Sequence, residues 1–210
     1  SHDETRIVLT GVLVSCVGST LKMVATDSYR LAVSETELDS PCPEEFEAVI
    51  AGSFLQDIAS LPQSEDPITI ALNDNQIVVT YRDTTFINRR IEGTFPNYKQ
   101  LIAEGYSTRA TLSTHALTDA VRRVSLLSNK VSPVQVRVDA ESGVVTLLTN
   151  SQDIGNAQEN LICEVDGESV DIAFNFTFML DGLNSIDTDA VHLDLFGPMK
   201  PGILRAAEGE

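Results

Sequence analysis

Ala48-Val49-Ile50-Ala51, then Ser53-Phe54-Leu55-Gln56-Asp57-Ile58-Ala59-Ser60-Leu61, then Ile68-Thr69-Ile70-Ala71-Leu72, read in succession as strand, helix and strand. The outer segments are short β-branched runs. In the middle one, Phe54, Leu55, Ile58 and Leu61 fall at helical spacing, with Ser53 as the expected N-cap and Pro62 as the stop. The same order returns in Val170-Asp171-Ile172-Ala173, a helix opening at Asn175 with Phe178, Met179, Gly182, Leu183 and Ile186, and Val191-His192-Leu193-Asp194-Leu195. The offset is about 122 to 125 residues, and a hairpin at Gly18 is echoed by one at Gly143. Thr26-Asp27-Ser28 falls near Thr149-Asn150-Ser151 on the same offset. Two α+β units of similar size, residues 1–102 and 103–210, related by duplication, are the direct reading.

Working outward, Ile7 to Val17 reads as one apolar strand with an interruption or close approach at Thr10-Gly11. Gly18-Ser19-Thr20 then turns the chain into Leu21–Ala25, and Arg30 to Val33 begins a third strand. Strands are expected at Ala48–Ile50, Gln76–Tyr81 and Thr85–Arg89, with Asn73-Asp74-Asn75 as a turn. A longer helix, capped by Ser113 or Thr114, carries Leu117, Ala120, Val121, Val124 and Leu127 as one stripe up to Ser128-Asn129. The helix and strand within 108–127 have no counterpart before Asp3-Glu4-Thr5-Arg6, so the first unit reads as truncated at its N-terminus. Position 1 is not Met, which fits a fragment.

The charge is unusual: 14 Lys+Arg against 31 Asp+Glu, or −17. Residues 1–102 hold 7 basic and 15 acidic groups and residues 103–210 hold 7 and 16, so neither unit is a basic module with an acidic tail. Such a sum argues against a surface that grips nucleic acid along its length. It governs solubility and encounter, however, rather than any one local surface. The densest acidic stretch, Glu35 to Glu47, contains Pro41 and Pro43 and reads as a solvated loop. Cys16, Cys42 and Cys163 form no CxxC pair, which disfavours a zinc site or a disulfide framework and fits a reducing cytoplasm. Cys16 and Cys163 read as small core groups. No apolar run approaches the roughly 18 residues of a spanning helix, and no signal-peptide pattern opens the chain.

Catalytic constellations are scarce. His115 lies near Ser113 and Asp119 on one helix, where an imidazole cannot be held between two partners, and reads as a solvent-exposed group. His192 alternates with apolar residues on a strand. No phosphate-binding glycine loop, H-E-x-x-H or G-x-S-x-G is present, and no metal or cofactor is expected. Two basic doublets stand out, Arg89-Arg90 at a strand end and Arg122-Arg123 beside the long helix's apolar stripe. Lone doublets are most often ion-paired surface groups.

Thr26-Asp27-Ser28-Tyr29-Arg30-Leu31-Ala32, preceded by Leu9-Thr10-Gly11 and followed by Phe95-Pro96-Asn97-Tyr98, Leu127-Ser128-Asn129 and Phe174-Asn175-Phe176-Thr177-Phe178, resembles the bacterial DNA polymerase III beta subunit family of replicative sliding clamps. The ordered set runs across essentially the whole chain. The resemblance implies a DNA-clamp fold of repeated domains, with antiparallel sheets outside and helices lining a central hole, closed as a homodimeric ring in the full-length protein. Residues 1–102 would be the middle domain and residues 103–210 the third domain, lacking the family's final strand.

On matching positions, the family's partner-peptide groove would be lined by Leu9, Thr26, Ser28, Tyr29, Arg30 and Leu31, with Pro96, Leu101, Met199 and Pro201. Gln100 stands where many members carry a basic residue, and a missing strand would remove one wall, so a weakened pocket is expected. Arg122 and Arg123 would face duplex DNA, and the Glu35–Glu47 stretch would lie away from the hole. Leu126 and Leu127 would meet a neighbouring subunit, although Leu127 also fits the helix core. The implied partners are encircled duplex DNA, the DNA polymerase III alpha subunit, the clamp loader, and other polymerases and repair proteins that carry clamp-binding peptides. The leading reading is a non-catalytic processivity factor in the cytoplasm. A clamp-fold peptide scaffold without a DNA role is the alternative, and a hydrolase using Ser113 and His115 a distant third.

Overall fold

Alternating burial along short strands organises both halves of the chain. The computed structural model describes residues 1, 3–127, 133–151 and 155–207. It divides into two compact units, Ser1–Ile102 and Ala103–Glu210.

In unit one, β1 (Gly11–Val17), β2 (Thr20–Thr26), β3 (Leu31–Glu37) and β4 (Phe46–Ala51) form an antiparallel sheet in the order β3-β2-β1-β4. Val17 pairs with Thr20 across a two-residue turn, and Gly18 supplies its left-handed φ of 58°. The chain continues into α1 (Gly52–Ala59) and a second antiparallel sheet of β5 (Ile68–Leu72), β6 (Gln76–Tyr81) and β7 (Thr84–Arg89). Asn73 forms the expected turn, its side-chain carbonyl accepting from the N–H groups of Asn75 and Gln76. Each face of the first sheet has its own core. Val14, Ile50 and Phe54 pack with Ile77 and Val79 on one side. Leu13, Val24 and Val49 pack with Tyr98, Val8, Leu31, Ile91 and Phe95 on the other. Phe95 and Tyr98 are therefore part of unit one's interior, while Pro96 and Asn97 between them are exposed.

Unit two begins with β8 (Thr108–Ser113) and α2 (Thr114–Ser125), then β9 (Val134–Asp139), β10 (Val144–Ser151), β11 (Gly155–Ile162), β12 (Glu164–Gly167) and β13 (Val170–Phe174). It ends with α3 (Phe176–Leu183), β14 (Ala190–Leu195) and β15 (Ile203–Ala207). One sheet runs β11-β10-β9-β13, the other β12-β8-β14-β15. The first repeats the order β3-β2-β1-β4, and α3 follows β13 as α1 follows β4. Leu117, Ala120, Val121 and Val124 of α2 are wholly buried against both sheets. Asn175 caps α3 by accepting from Thr177 N, and Ser113 caps α2 by accepting from Ala116 N. Among the strand pairs, Arg109 of β8 faces Asp194 of β14. Asp194 is fully buried, accepting from Arg109 Nε at 2.6 Å and Nη2 at 2.7 Å and from Arg205 Nε at 3.1 Å. Tyr106 covers the Arg109 guanidinium at 4.1 Å and donates its hydroxyl to Asp166.

Four local expectations are corrected. Ile7 to Thr10 is not strand: Glu4–Thr10 winds into 3-10 turns before β1 starts at Gly11. Asp3 drives this by accepting from Thr5 N and Thr5 Oγ1 and pairing with Arg6 Nε at 2.8 Å. Gly11 is required by close approach, because a Cβ there would lie 2.5 Å from Val49 Cγ1 and 2.9 Å from Ile91 Cδ1. The cap of α1 falls on Ala51 with no side-chain bond, so Ser53 lies inside the helix, and Leu61 lies beyond its end. The acidic stretch is only partly loop. Glu35 and Glu37 belong to the exposed edge strand β3, where Glu35 pairs with Lys22 at 2.7 Å and Glu37 accepts from Thr20, and Glu47 belongs to β4. Finally, α2 ends at Ser125. Ser128 and Asn129, up to which that helix was expected, lie outside the described residues.

Candidate functional site

The link between β2 and β3 is closed almost entirely by its own side chains. Asp27 Oδ1 accepts from the N–H groups of Tyr29 and Arg30, each at 3.0 Å, and Oδ2 pairs with Arg30 Nε at 3.0 Å. Thr26 Oγ1 donates to the Arg30 carbonyl at 2.7 Å and accepts from Ser28 N at 3.2 Å. Burial opposes the Asp27 charge, but those two backbone donors and the Arg30 guanidinium outweigh it and hold the carboxyl below its usual range. Ser28 sits at the apex with φ of 79°, a left-handed conformation costly for a residue bearing Cβ. Its Oγ accepts from Arg6 Nη1 at 2.7 Å.

Arg6 joins this turn to an open concavity lined by Thr5, Arg6, Ile7, Val8, Leu9, Thr94 and Pro96. Within unit one the structure thus brings Leu9 and Pro96 together on one depression and ties it, through Arg6, to the Thr26–Leu31 turn. Tyr29 is 82% exposed, and Leu101, at the end of a 3-10 turn over Tyr98–Leu101, is also exposed. Met199 and Pro201 belong to unit two, on the turn between β14 and β15, where Met199 is 94% exposed. Arg6, Asp27 and Thr94 were missed from sequence. The Asp3-x-x-Arg6 spacing was the available signal for Arg6, hidden by reading the following apolar residues as strand.

On α2, Arg122 and Arg123 are exposed but engaged. Arg122 donates to Asn184 Oδ1 at 3.1 Å and pairs with Asp119 at 3.6 Å. Arg123 grips Glu159 of β11 with two hydrogen bonds, which raises the guanidinium's pKa and lowers the carboxyl's. Leu126 is 78% exposed just past the helix, and Leu127 is half-buried. Ser113 Oγ is occupied as the α2 cap, and the exposed His115 ring lies 3.6 Å from Asp119 on its own helix, so no hydrolytic set forms there. His192 Nδ1 is hydrogen-bonded to Thr111 Oγ1. Among the described residues, no group of three or more His, Cys, Asp or Glu could hold a metal ion, and no helix is long and apolar enough to cross a membrane.

Two α+β units whose first sheets share one strand order, β3-β2-β1-β4 and β11-β10-β9-β13, each followed by a helix from the last-named strand, define a duplicated α+β protein. The central-domain model of the DNA polymerase III beta subunit matches residues 1–97 and the C-terminal-domain model matches residues 99–210. The chain belongs to the DNA polymerase III beta subunit family. It is 32% identical over its whole length to the beta sliding clamp of Synechocystis and 33% identical over 98% of its length to that of Staphylococcus aureus. It spans 57% and 55% of those relatives. Among solved structures, the Bacillus subtilis DNA polymerase sliding clamp superimposes with a TM-score of 0.94 at 28% identity, covering all of this chain and 56% of that one. The beta chain from Streptococcus pneumoniae gives 0.92 at 27% identity, over all of this chain and 56% of that one.

Proposed function

We propose that this chain forms the middle and third domains of a sliding clamp, a non-catalytic processivity factor that encircles duplex DNA and tethers a replicative polymerase in the cytoplasm. The observation that carries the reading is the self-closed Thr26–Leu31 turn beside the Leu9–Pro96 depression, on a chain of this family. Exposed Tyr29 and Leu101 of unit one offer apolar contacts, and Arg30 a polar edge, to a short linear peptide anchored by Leu and Phe side chains. The DNA polymerase III alpha subunit, the clamp loader, and other polymerases and repair proteins would share that groove in turn. Arg122 and Arg123 would meet phosphates without reading sequence, through water as well as directly. Leu126 and Leu127 would close the homodimer of the full-length protein. An overall −17 is compatible with this role, because a ring is retained by topology and needs few inward cations.

The test is fluorescence anisotropy with a labelled Leu/Phe-anchored peptide. Saturable binding that weakens at least several-fold in Tyr29→Ala and Pro96→Ala supports the groove. Binding unchanged in both variants overturns it. For the full-length ring, retention on circular but not linear DNA is the expected result, and equal loss from both contradicts encirclement.

A further inference from the structure

Cys16 and Cys42 are 26 positions apart in the chain but meet at the Gly18 turn. Cys42 N donates to the Gly18 carbonyl at 2.9 Å, and Cys16 Sγ lies 3.9 Å from the same oxygen. The Cys16 sulfur and the Cys42 backbone therefore converge on one carbonyl oxygen. Leu38 N donates to Ser19 O at 2.8 Å, a second tie between the segment after β3 and this hairpin. Pro41 and Pro43 flank Cys42, and the proline that follows it disfavours helical geometry, so its backbone is restricted to extended conformations. Both thiols are free, Cys16 buried in β1 and Cys42 half-buried.

We propose that Cys16 and Cys42 form a dithiol pair that hydrogen peroxide converts to a reversible disulfide, locking the acidic segment between β3 and β4 onto the β1–β2 hairpin. Cys42, the more accessible sulfur, reacts first. Its thiolate attacks one peroxide oxygen, the O–O bond breaks to give sulfenic acid and hydroxide, and the hydroxide takes up the proton that the Cys42 thiol had released, forming water. The Cys16 sulfur then attacks the Cys42 sulfur, the S–O bond breaks, and the departing hydroxide leaves as water with the Cys16 proton. Two thiols are oxidised and one peroxide is reduced to two waters. Burial, the neighbouring Cys42 and the Glu45 carboxylate push the Cys16 thiol up to about 11, which keeps it protonated and unreactive toward bulk oxidant. Its place beside the Gly18 carbonyl that also receives the Cys42 N–H supplies the proximity that lets it resolve the sulfenic acid.

The experiment treats the folded chain with hydrogen peroxide, removes the excess with catalase, unfolds the chain in denaturant containing a maleimide to block every remaining thiol, and maps peptides by mass spectrometry. The expected result is that the three free thiols fall to one, Cys163, with one intramolecular Cys16–Cys42 peptide that dithiothreitol reverses. Cys163→Ser should leave the cross-link intact, and Cys42→Ser should leave Cys16 fully alkylated. The same treatment in denaturant should scatter the pairing. Recovery of Cys42 as sulfinic acid beside unmodified Cys16, a bridge only between chains, or equal pairing in folded and denatured protein would each overturn the proposal.

Discussion

Arg123 and Glu159 are joined in a two-point fork, Nε to Oε1 at 2.7 Å and Nη2 to Oε2 at 3.1 Å, linking α2 to the edge strand β11. A guanidinium satisfied in this way is a poor phosphate ligand until the carboxylate lets go. Glu159→Gln should therefore tighten non-specific binding to a short duplex at low salt. It should steepen the log-affinity against log-salt slope by about 0.9, the contribution of one further phosphate contact. Glu65→Gln, which removes the same charge from unit one, should leave the slope unchanged. A titration by anisotropy across salt concentrations separates the two.

Ser28 holds a left-handed backbone without being glycine. Ser28→Gly removes about 1 kcal/mol of strain and forfeits one exposed hydrogen bond from Arg6, leaving stability unchanged or raised by about 0.5 kcal/mol. Ser28→Val, with a β-branched side chain and no acceptor, should cost about 1–2 kcal/mol in urea unfolding.

Asp194 is the buried centre of the Arg109–Asp194–Arg205 cluster. Asp194→Ala should destabilise unit two by about 2–3 kcal/mol, since two guanidiniums lose their buried acceptor. The figure sits below the range for a fully buried pair because Arg109 and Arg205 remain 27% and 42% exposed and can turn to water. Denaturant midpoints of the variant and the parent chain give the measurement.

Asp3 shows the acid limb of the pH dependence. Hydrogen bonding from Thr5 and then Arg6 lowers its carboxyl from 3.8 to about 2. Its folded value lies below its unfolded one, so its contribution is fully present above pH 3.8 and disappears as the pH falls through 2. The stability gap between the parent chain and Asp3→Asn should be constant at neutral pH, shrink between those values, and vanish below them.

Period and turn chemistry made the duplication readable. Strands such as Ala190–Leu195 alternate apolar residues, and Asn175 announces a helix start. Strands β11, β12 and β15 escaped notice because Gly155–Ile162 is mostly polar and Glu164–Gly167 is only four residues long, while Ile203–Ala207 lies just beyond a Pro/Gly turn. The segment from Ile7 to Thr10 misled for the opposite reason: its apolar, β-branched residues carry strand propensity, but a capping carboxylate and a close glycine decide otherwise. At the candidate site, Leu9 and Pro96 could be named from motif order, while Thr5, Arg6, Ile7, Val8 and Thr94 could not. The site's hydrogen bonds could not be read either, because Arg6 reaches Ser28 across 22 positions of sequence.

The closed turn of Asp27 and Thr26 also fixes a thermodynamic character for any ligand that docks there. Its donors and acceptors are already matched within the chain, so no loop must order when a peptide arrives. For a peptide that docked there, the entropic cost of association would fall on the peptide, and every competitor would meet one shape. Affinity differences among partners should accordingly arise from how well each extended segment fits, and appear in dissociation rates more than in association rates.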